Sequence, residues 1–190
     1  MEFDHRLNAA LFHSTGIGLL PMPHPGLTGD MSNDITLPEL QEFIAAYWYY
    51  YDEAHYTELG ACHADDVHYL TRSDSGASPF EELMSPELNG REAVMEWLSE
   101  HRKQSPYPLR HHATNLYRTG TDGGLTRARF YIFVNQITNF VPFAVSSGVV
   151  NVGVRRGPNG LELTDIDVML DTTNSVLLAE LPADATITAS

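Results

Sequence analysis

Two stretches of this chain carry residue types able to move protons. In Tyr47-Trp48-Tyr49-Tyr50-Tyr51-Asp52-Glu53-Ala54-His55-Tyr56 a carboxylate, Asp52, follows a run of aromatics. In Arg110-His111-His112-Ala113-Thr114-Asn115 two imidazoles stand side by side. An unpaired carboxylate in apolar surroundings titrates above its ordinary range and serves as base or acid. Imidazole exchanges protons near neutral pH. Facing one apolar cavity, the two are the minimum parts for proton transfer on a small greasy molecule. Each also has a plainer role, as a solvated acid near a helix end or a satisfied core histidine. Strand alternation sends His111 and His112 to opposite faces, so at most one lines such a cavity.

Other side chains fit supporting roles. Tyr69 and Asn135 can hydrogen-bond a substrate oxygen and hold an enolate-like charge. Tyr51 can do the same, and Tyr47, Trp48 and Phe133 supply apolar wall, although aromatics at helical or strand spacing also pack a core. Arg127 and Arg129 alternate with Tyr131 and Phe133, the pattern of a solvated or interface face. Nine histidines raise the question of a metal. No His-x-His strand pair or His-x-x-x-His helix pair has a third ligand in view, and adjacent Cys62 and His63 stand unsupported. Neither metal nor cofactor is expected.

The elements that must position these groups read clearly. Thr36-Leu-Pro-Glu39 is a capping box with proline in the first turn. Leu37, Leu40, Ile44, Tyr47 and Tyr51 then form one apolar stripe at helical spacing, predicting a helix to about Tyr56 or Leu59. A second short helix runs to Gly60 or Ala64. Asp66–Thr71 reads as a strand, and 72–88 as a long loop of the kind that often carries function. Asn89-Gly-Arg-Glu92 opens another helix with Val94, Trp97, Leu98 and His101 on one face. The period then switches to two. Strands over 108–118 and 125–138 flank Gly120–Gly124, and strands over 143–156 and 161–171 flank Gly157-Pro-Asn-Gly160.

Helices and one strand, a further helix, then four long antiparallel strands argue an α+β fold. The expected architecture is a cone-shaped barrel, a curved and mainly antiparallel sheet wrapped around helices. Asn135, Ser147, Asn151, Asp165 and Asp167 interrupt the apolar strand runs, as a cavity against one sheet face would require. Residues 34–175 form this domain. Residues 1–33, rich in Gly and Pro without sustained period, read as an extended arm or a disordered leader. Residues 176–190 form a tail that frays or ends in a short helix.

At 190 residues, 43% hydrophobic and 19% charged, the chain suits one globular domain. A net charge of -14 argues against nucleic acid as a partner. No apolar run approaches the roughly 18 residues of a membrane-spanning helix, and no secretory pattern opens the chain. A single cysteine suits a reducing cytoplasm. Apolar residues on the outer sheet face, within Phe130–Val134 and Val149–Val154, predict a homodimer or homotrimer.

Over roughly residues 36–172 the chain resembles the nuclear-transport-factor-2-like (NTF2-like, cystatin-like) superfamily, and within it the SnoaL-like and scytalone-dehydratase-like proteins. The likeness rests on the helix order, on Tyr51-Asp52 followed by Ala64-Asp-Asp-Val-His-Tyr69, on Leu109-Arg-His-His-Ala-Thr-Asn115, and on the final hairpins ending in Leu170-Asp171. The chain is also similar to the β subunits of ring-hydroxylating dioxygenases. The dehydratase likeness implies a catalytic Tyr51–Asp52 pair, a strand tyrosine at Tyr69 and a working histidine at His112. The family's second histidine falls on Asn135, which cannot exchange protons as imidazole does, and its second helix carboxylate falls on His55. The resemblance implies a cofactor-free lyase, isomerase or cyclase acting on a small hydrophobic, polyketide- or terpenoid-like metabolite. Epoxide opening is a close variant. The rivals are a non-catalytic dioxygenase-type β subunit and a ligand-binding domain.

Overall fold

The computed structural model describes residues 34–76, 84 and 87–180. The expected arm at 1–33, most of the 72–88 loop and the tail beyond 180 lie outside the described residues. The elements run α1 (Leu37–Asp52), α2 (Tyr56–Ala61), β1 (His63–Ser73), β2 (Leu88–Asn89), α3 (Arg91–Gln104), β3 (Leu109–Asp122), β4 (Leu125–Thr138), β5 (Val141–Gly157) and β6 (Gly160–Leu170). A 3₁₀ turn at Leu178–Glu180 follows.

Local chemistry accounts for the boundaries. The capping box forms at both of its bonds, Thr36 Oγ1 accepting from the Glu39 N–H and Glu39 accepting from the Thr36 N–H at 2.9 Å. The helix α1 ends at Asp52, earlier than its apolar stripe predicts, because Ala54 takes a left-handed conformation (φ 58). Such a conformation is disfavoured for a residue with a Cβ and stops the turn. The buried Arg102 of α3 then satisfies the helix end, its Nε and Nη2 donating to the Asp52 carbonyl at 3.0 and 2.8 Å. Its Nη1 reaches the Pro106 carbonyl at 3.0 Å, so one guanidinium ties α1 to the segment entering β3.

The strands form one six-stranded sheet in the order β2-β1-β6-β5-β4-β3. The β1–β6 pair is parallel and the others antiparallel. The sheet is open, with β2 and β3 as its edges, so the expected cone does not close into a barrel. Two tight hairpin turns carry consecutive residues at positive φ: Gly123-Gly124 (57 and 84) and Asn139-Phe140 (51 and 64). The first is legible from its glycines; the second places a phenylalanine where glycine is usual.

Alternation assigns the faces. Thr126, Ala128, Phe130, Ile132 and Val134 of β4 are buried, with Val150, Val152 and Val154 of β5 and Leu163, Ile166 and Val168 of β6. They pack against Leu40, Ile44, Tyr47 and Tyr51 of α1 and Val94 and Leu98 of α3. The opposite face carries Arg127, Arg129, Tyr131 and Phe133. There Arg127 pairs with Asp165 across β5, and a Cβ on the intervening Gly153 would overlap the Asp165 carboxylate. No helix among the described residues is long and apolar enough to cross a membrane.

Candidate active site

A cavity of about 470 Å³ lies between the helices and the inner sheet face. Helix α1 contributes Trp48 and Tyr51, α3 contributes Trp97 and His101, β1 contributes Tyr69, and β3 contributes His111. Ile132 and Val134 of β4 and Val168 of β6 complete an apolar floor. Gln136, Ser146 and Thr172 bring polar groups, and among the described residues neither lysine nor arginine lines the cavity.

Asp52 is buried and makes two bonds to one residue. Its Oδ1 lies 2.6 Å from His111 Nδ1, and its Oδ2 accepts the His111 backbone N–H at 2.8 Å. A carboxylate can only accept, so Nδ1 carries a proton, and in the neutral ring Nε2 is the acceptor. The imidazole is clamped further by stacking on Trp48 (4.7 Å, 10°) and by the edge of Tyr51 (5.2 Å, 85°). This is a carboxylate–imidazole pair whose second ring nitrogen has no hydrogen-bond partner among the described residues, the arrangement a general base needs.

The pairing expected from the family likeness, Asp52 with His112, is not formed. His112 pairs in register with Phe133 on the opposite face of the sheet, where it is exposed. Its Nε2 meets Asn135 Oδ1 at 2.7 Å. Phe133, 42% exposed, belongs to that outer face too. None of the three reaches the cavity, because the residues facing it from this hairpin are Leu109, His111, Ile132, Val134 and Gln136. Tyr47 is not pocket wall either: fully buried, it meets His63 Nε2 at 3.4 Å within the core. Trp48, Tyr51 and Tyr69 do line the cavity. His111, His101 and Trp97 line the cavity although the sequence assigns them no role in it. The alternation Leu109/His111/Ala113 from a buried leucine could have singled out His111. The α3 stripe already held Trp97 and His101.

Burial acts on the other titratable groups. The Tyr69 phenol is pushed up to about 12 by desolvation, and Tyr51 is pushed up as well, chiefly for the same reason. Both therefore stay protonated donors at neutral pH. The Tyr51 hydroxyl lies 2.6 Å from His101 Nδ1. His101 is held below its ordinary value by burial first, then by His111 and Arg102. Among the described residues no group of three or more His, Cys, Asp or Glu side chains is placed to hold a metal ion.

Residues 37–164 match the model of the SnoaL-like domain, and the chain belongs to that family. Among curated proteins none matches it. Solved structures share the fold at low identity. A protein from Catenulispora acidiphila in complex with S-DNPA is 22% identical with a TM-score of 0.58, covering 70% of this chain and 91% of its own. The β subunit of benzoate 1,2-dioxygenase from Burkholderia mallei is 15% identical with a TM-score of 0.56, covering 72% and 91%. An NTF2-like protein with a cystatin-like fold from Novosphingobium aromaticivorans is 19% identical with a TM-score of 0.57, covering 73% and 83%. The architecture is thus the NTF2-like, cystatin-like α+β fold.

Proposed function

We propose that the protein is a cofactor-free enzyme of the lyase, isomerase or cyclase type, working by general acid–base catalysis on a small hydrophobic metabolite. The observation that carries this reading is the Asp52–His111 pair, whose imidazole lines an aromatic cavity. His111 takes the role first assigned to His112: Asp52 holds the ring and its proton on Nδ1, and Nε2 accepts a proton from carbon or oxygen of the substrate. Tyr69, a protonated phenol in the same wall, orients a carbonyl or hydroxyl. With no cationic side chain among the described lining residues, a carboxylate or phosphate would meet no compensating charge there. The favoured substrates are therefore neutral oxygenated molecules, polyketide- or terpenoid-like, and epoxide opening remains a chemical variant of the same site. The single cysteine fits work in a reducing cytoplasm.

The rival reading, a non-catalytic β subunit, draws on the likeness to the dioxygenase chain. Exposed Tyr117, Tyr131 and Phe133 on the outer sheet face support assembly into a homodimer or homotrimer under either reading. The test is turnover on a panel of neutral enolisable ketones, β-hydroxyketones and epoxides, with Asp52→Asn as control. Turnover that the Asn variant loses supports the enzyme. No turnover from any member, together with co-purification of a larger oxygenase chain, would move the assignment to the structural subunit.

A further inference from the structure

The cavity holds a second imidazole, set in the opposite sense from the first. His101 reaches it from α3, stacked on Trp97 (4.7 Å, 11°), with Nδ1 at 2.6 Å from the Tyr51 hydroxyl. A phenol is a far stronger acid than a neutral imidazole N–H, and the bare imidazole nitrogen is a far better acceptor than phenol oxygen. The short bond therefore runs from Tyr51 O–H to Nδ1, and the ring proton of His101 sits on Nε2. Asp52 does the reverse to His111, drawing the proton to Nδ1 and baring Nε2. Two partners of opposite character, a carboxylate and a phenol, thus give two imidazoles of opposite tautomer in one cavity. Tyr51 touches both rings.

From this geometry we propose that His101 is a further catalytic residue, a neutral imidazole whose Nε2–H holds the substrate carbonyl oxygen while His111 Nε2 takes the proton from the adjacent carbon. The proposal rests on the acid–base reading of the site and narrows its substrate to an enolisable carbonyl compound. The groups facing His101 favour the neutral ring: it is buried, with His111 and Arg102 nearby. A neutral imidazole polarises a carbonyl without giving its proton away, as in triosephosphate isomerase. The steps balance within the chain. The C–H proton passes to His111 Nε2, its electron pair forms the enolate C=C, and the carbonyl π pair moves to the oxygen held by His101. The His111 imidazolium then returns the proton to another carbon, giving an isomer, or to a departing β-hydroxyl, giving an alkene and water. Tyr51 acts through His101 and is a positioning residue.

The test uses the full chain and two readouts independent of turnover. Nitrogen-15 NMR of the histidine rings at pH 7 is expected to show His101 as the Nε2–H tautomer and His111 as the Nδ1–H tautomer. Tyr51→Phe is expected to release the His101 preference while leaving His111 unchanged. The second readout is binding of 4-nitrophenol, whose phenolate mimics an enolate oxygen. His101→Ala should weaken it roughly tenfold, the usual worth of one lost hydrogen bond, and His101→Gln, which keeps an N–H donor, should recover part of that. Where turnover is measurable, His101→Ala should lower kcat by about a hundredfold with little change in KM. An Nδ1–H or doubly protonated His101 at pH 7, or 4-nitrophenol binding unaffected by His101→Ala, overturns the proposal. Correct tautomers and binding without turnover on any carbonyl compound would instead count against the acid–base reading on which it rests.

Discussion

Asp52 and His111 are joined twice, ring to carboxylate at 2.6 Å and backbone N–H to carboxylate at 2.8 Å. The second bond matters as much as the first, because it fixes the carboxylate against β3 and so sets where the imidazole points. A side chain at the end of α1 is thereby locked to one strand residue and not its neighbour.

The two adjacent histidines should behave oppositely on mutation. His111→Ala and Asp52→Asn should each reduce turnover by roughly 10²–10⁴, the worth of one acid–base group. The double variant should lose much less than the product, because the two act as a unit. His112→Ala, on the exposed face, should stay within about threefold of wild type. Steady-state kinetics on any active substrate decides it: a His112 effect as large as that of His111 would return the role to the outer face.

Arg102 should dominate the stability of the site's framework. Its guanidinium donates to the carbonyls of Asp52 and Pro106 while nearly fully buried. Arg102→Met should remove those donors and leave buried carbonyls unpaired, destabilising by about 2–4 kcal/mol. Urea unfolding measures this, and a change under 1 kcal/mol would show that water replaces the guanidinium.

His63 should make the fold sensitive to acid. Fully buried between the Leu59 carbonyl and Tyr47, it is lowered to about 4 by desolvation. Above the ordinary histidine value it is neutral folded and unfolded alike, and pH has no effect through it. As pH falls from about 6.5 towards 4 the unfolded chain gains a proton that the folded one refuses, so stability drops, levelling off below 4 at a loss of about 3 kcal/mol. In urea titrations at pH 7 and pH 4.5, His63→Gln should lack this component. An equal fall in wild type and variant would assign the acid sensitivity elsewhere.

The outer sheet face should carry self-association. Tyr131 and Phe133 are 54% and 42% exposed beside Tyr117 at 50%, an apolar patch of the kind that marks an interface. Light scattering is expected to give a dimer or trimer for the wild type and a smaller species for the double change Tyr131→Arg, Phe133→Asp. A wild-type monomer at micromolar concentration would contradict it.

How much of this was legible varies by element. The capping box at Thr36–Glu39, the α1 stripe, the glycine turns and the four long strands all follow from local rules of spacing and turn chemistry. The end of α1 did not, because a left-handed Ala54 stops the helix short of its apolar stripe and Arg102, fifty residues away, satisfies the end. Nor did the Asn139-Phe140 turn, where a phenylalanine occupies a left-handed position that local preference disfavours.

For the site, residue types and the family likeness together selected Trp48, Tyr51 and Tyr69 of the aromatic wall and the carboxylate Asp52, but also put Tyr47 and Phe133 in that wall, which neither lines. They also established that His111 and His112 face opposite ways. Which of the two faces inward depends on the β3–β4 register, which sets His111 opposite Val134 and His112 opposite Phe133. A one-residue slip exchanges the faces at no change in composition. Packing of Leu109 and Val134 against the helices removes that freedom. The meeting of His101 with Tyr51 across fifty residues is likewise a product of α3 docking beside α1, and only the folded chain brings them together.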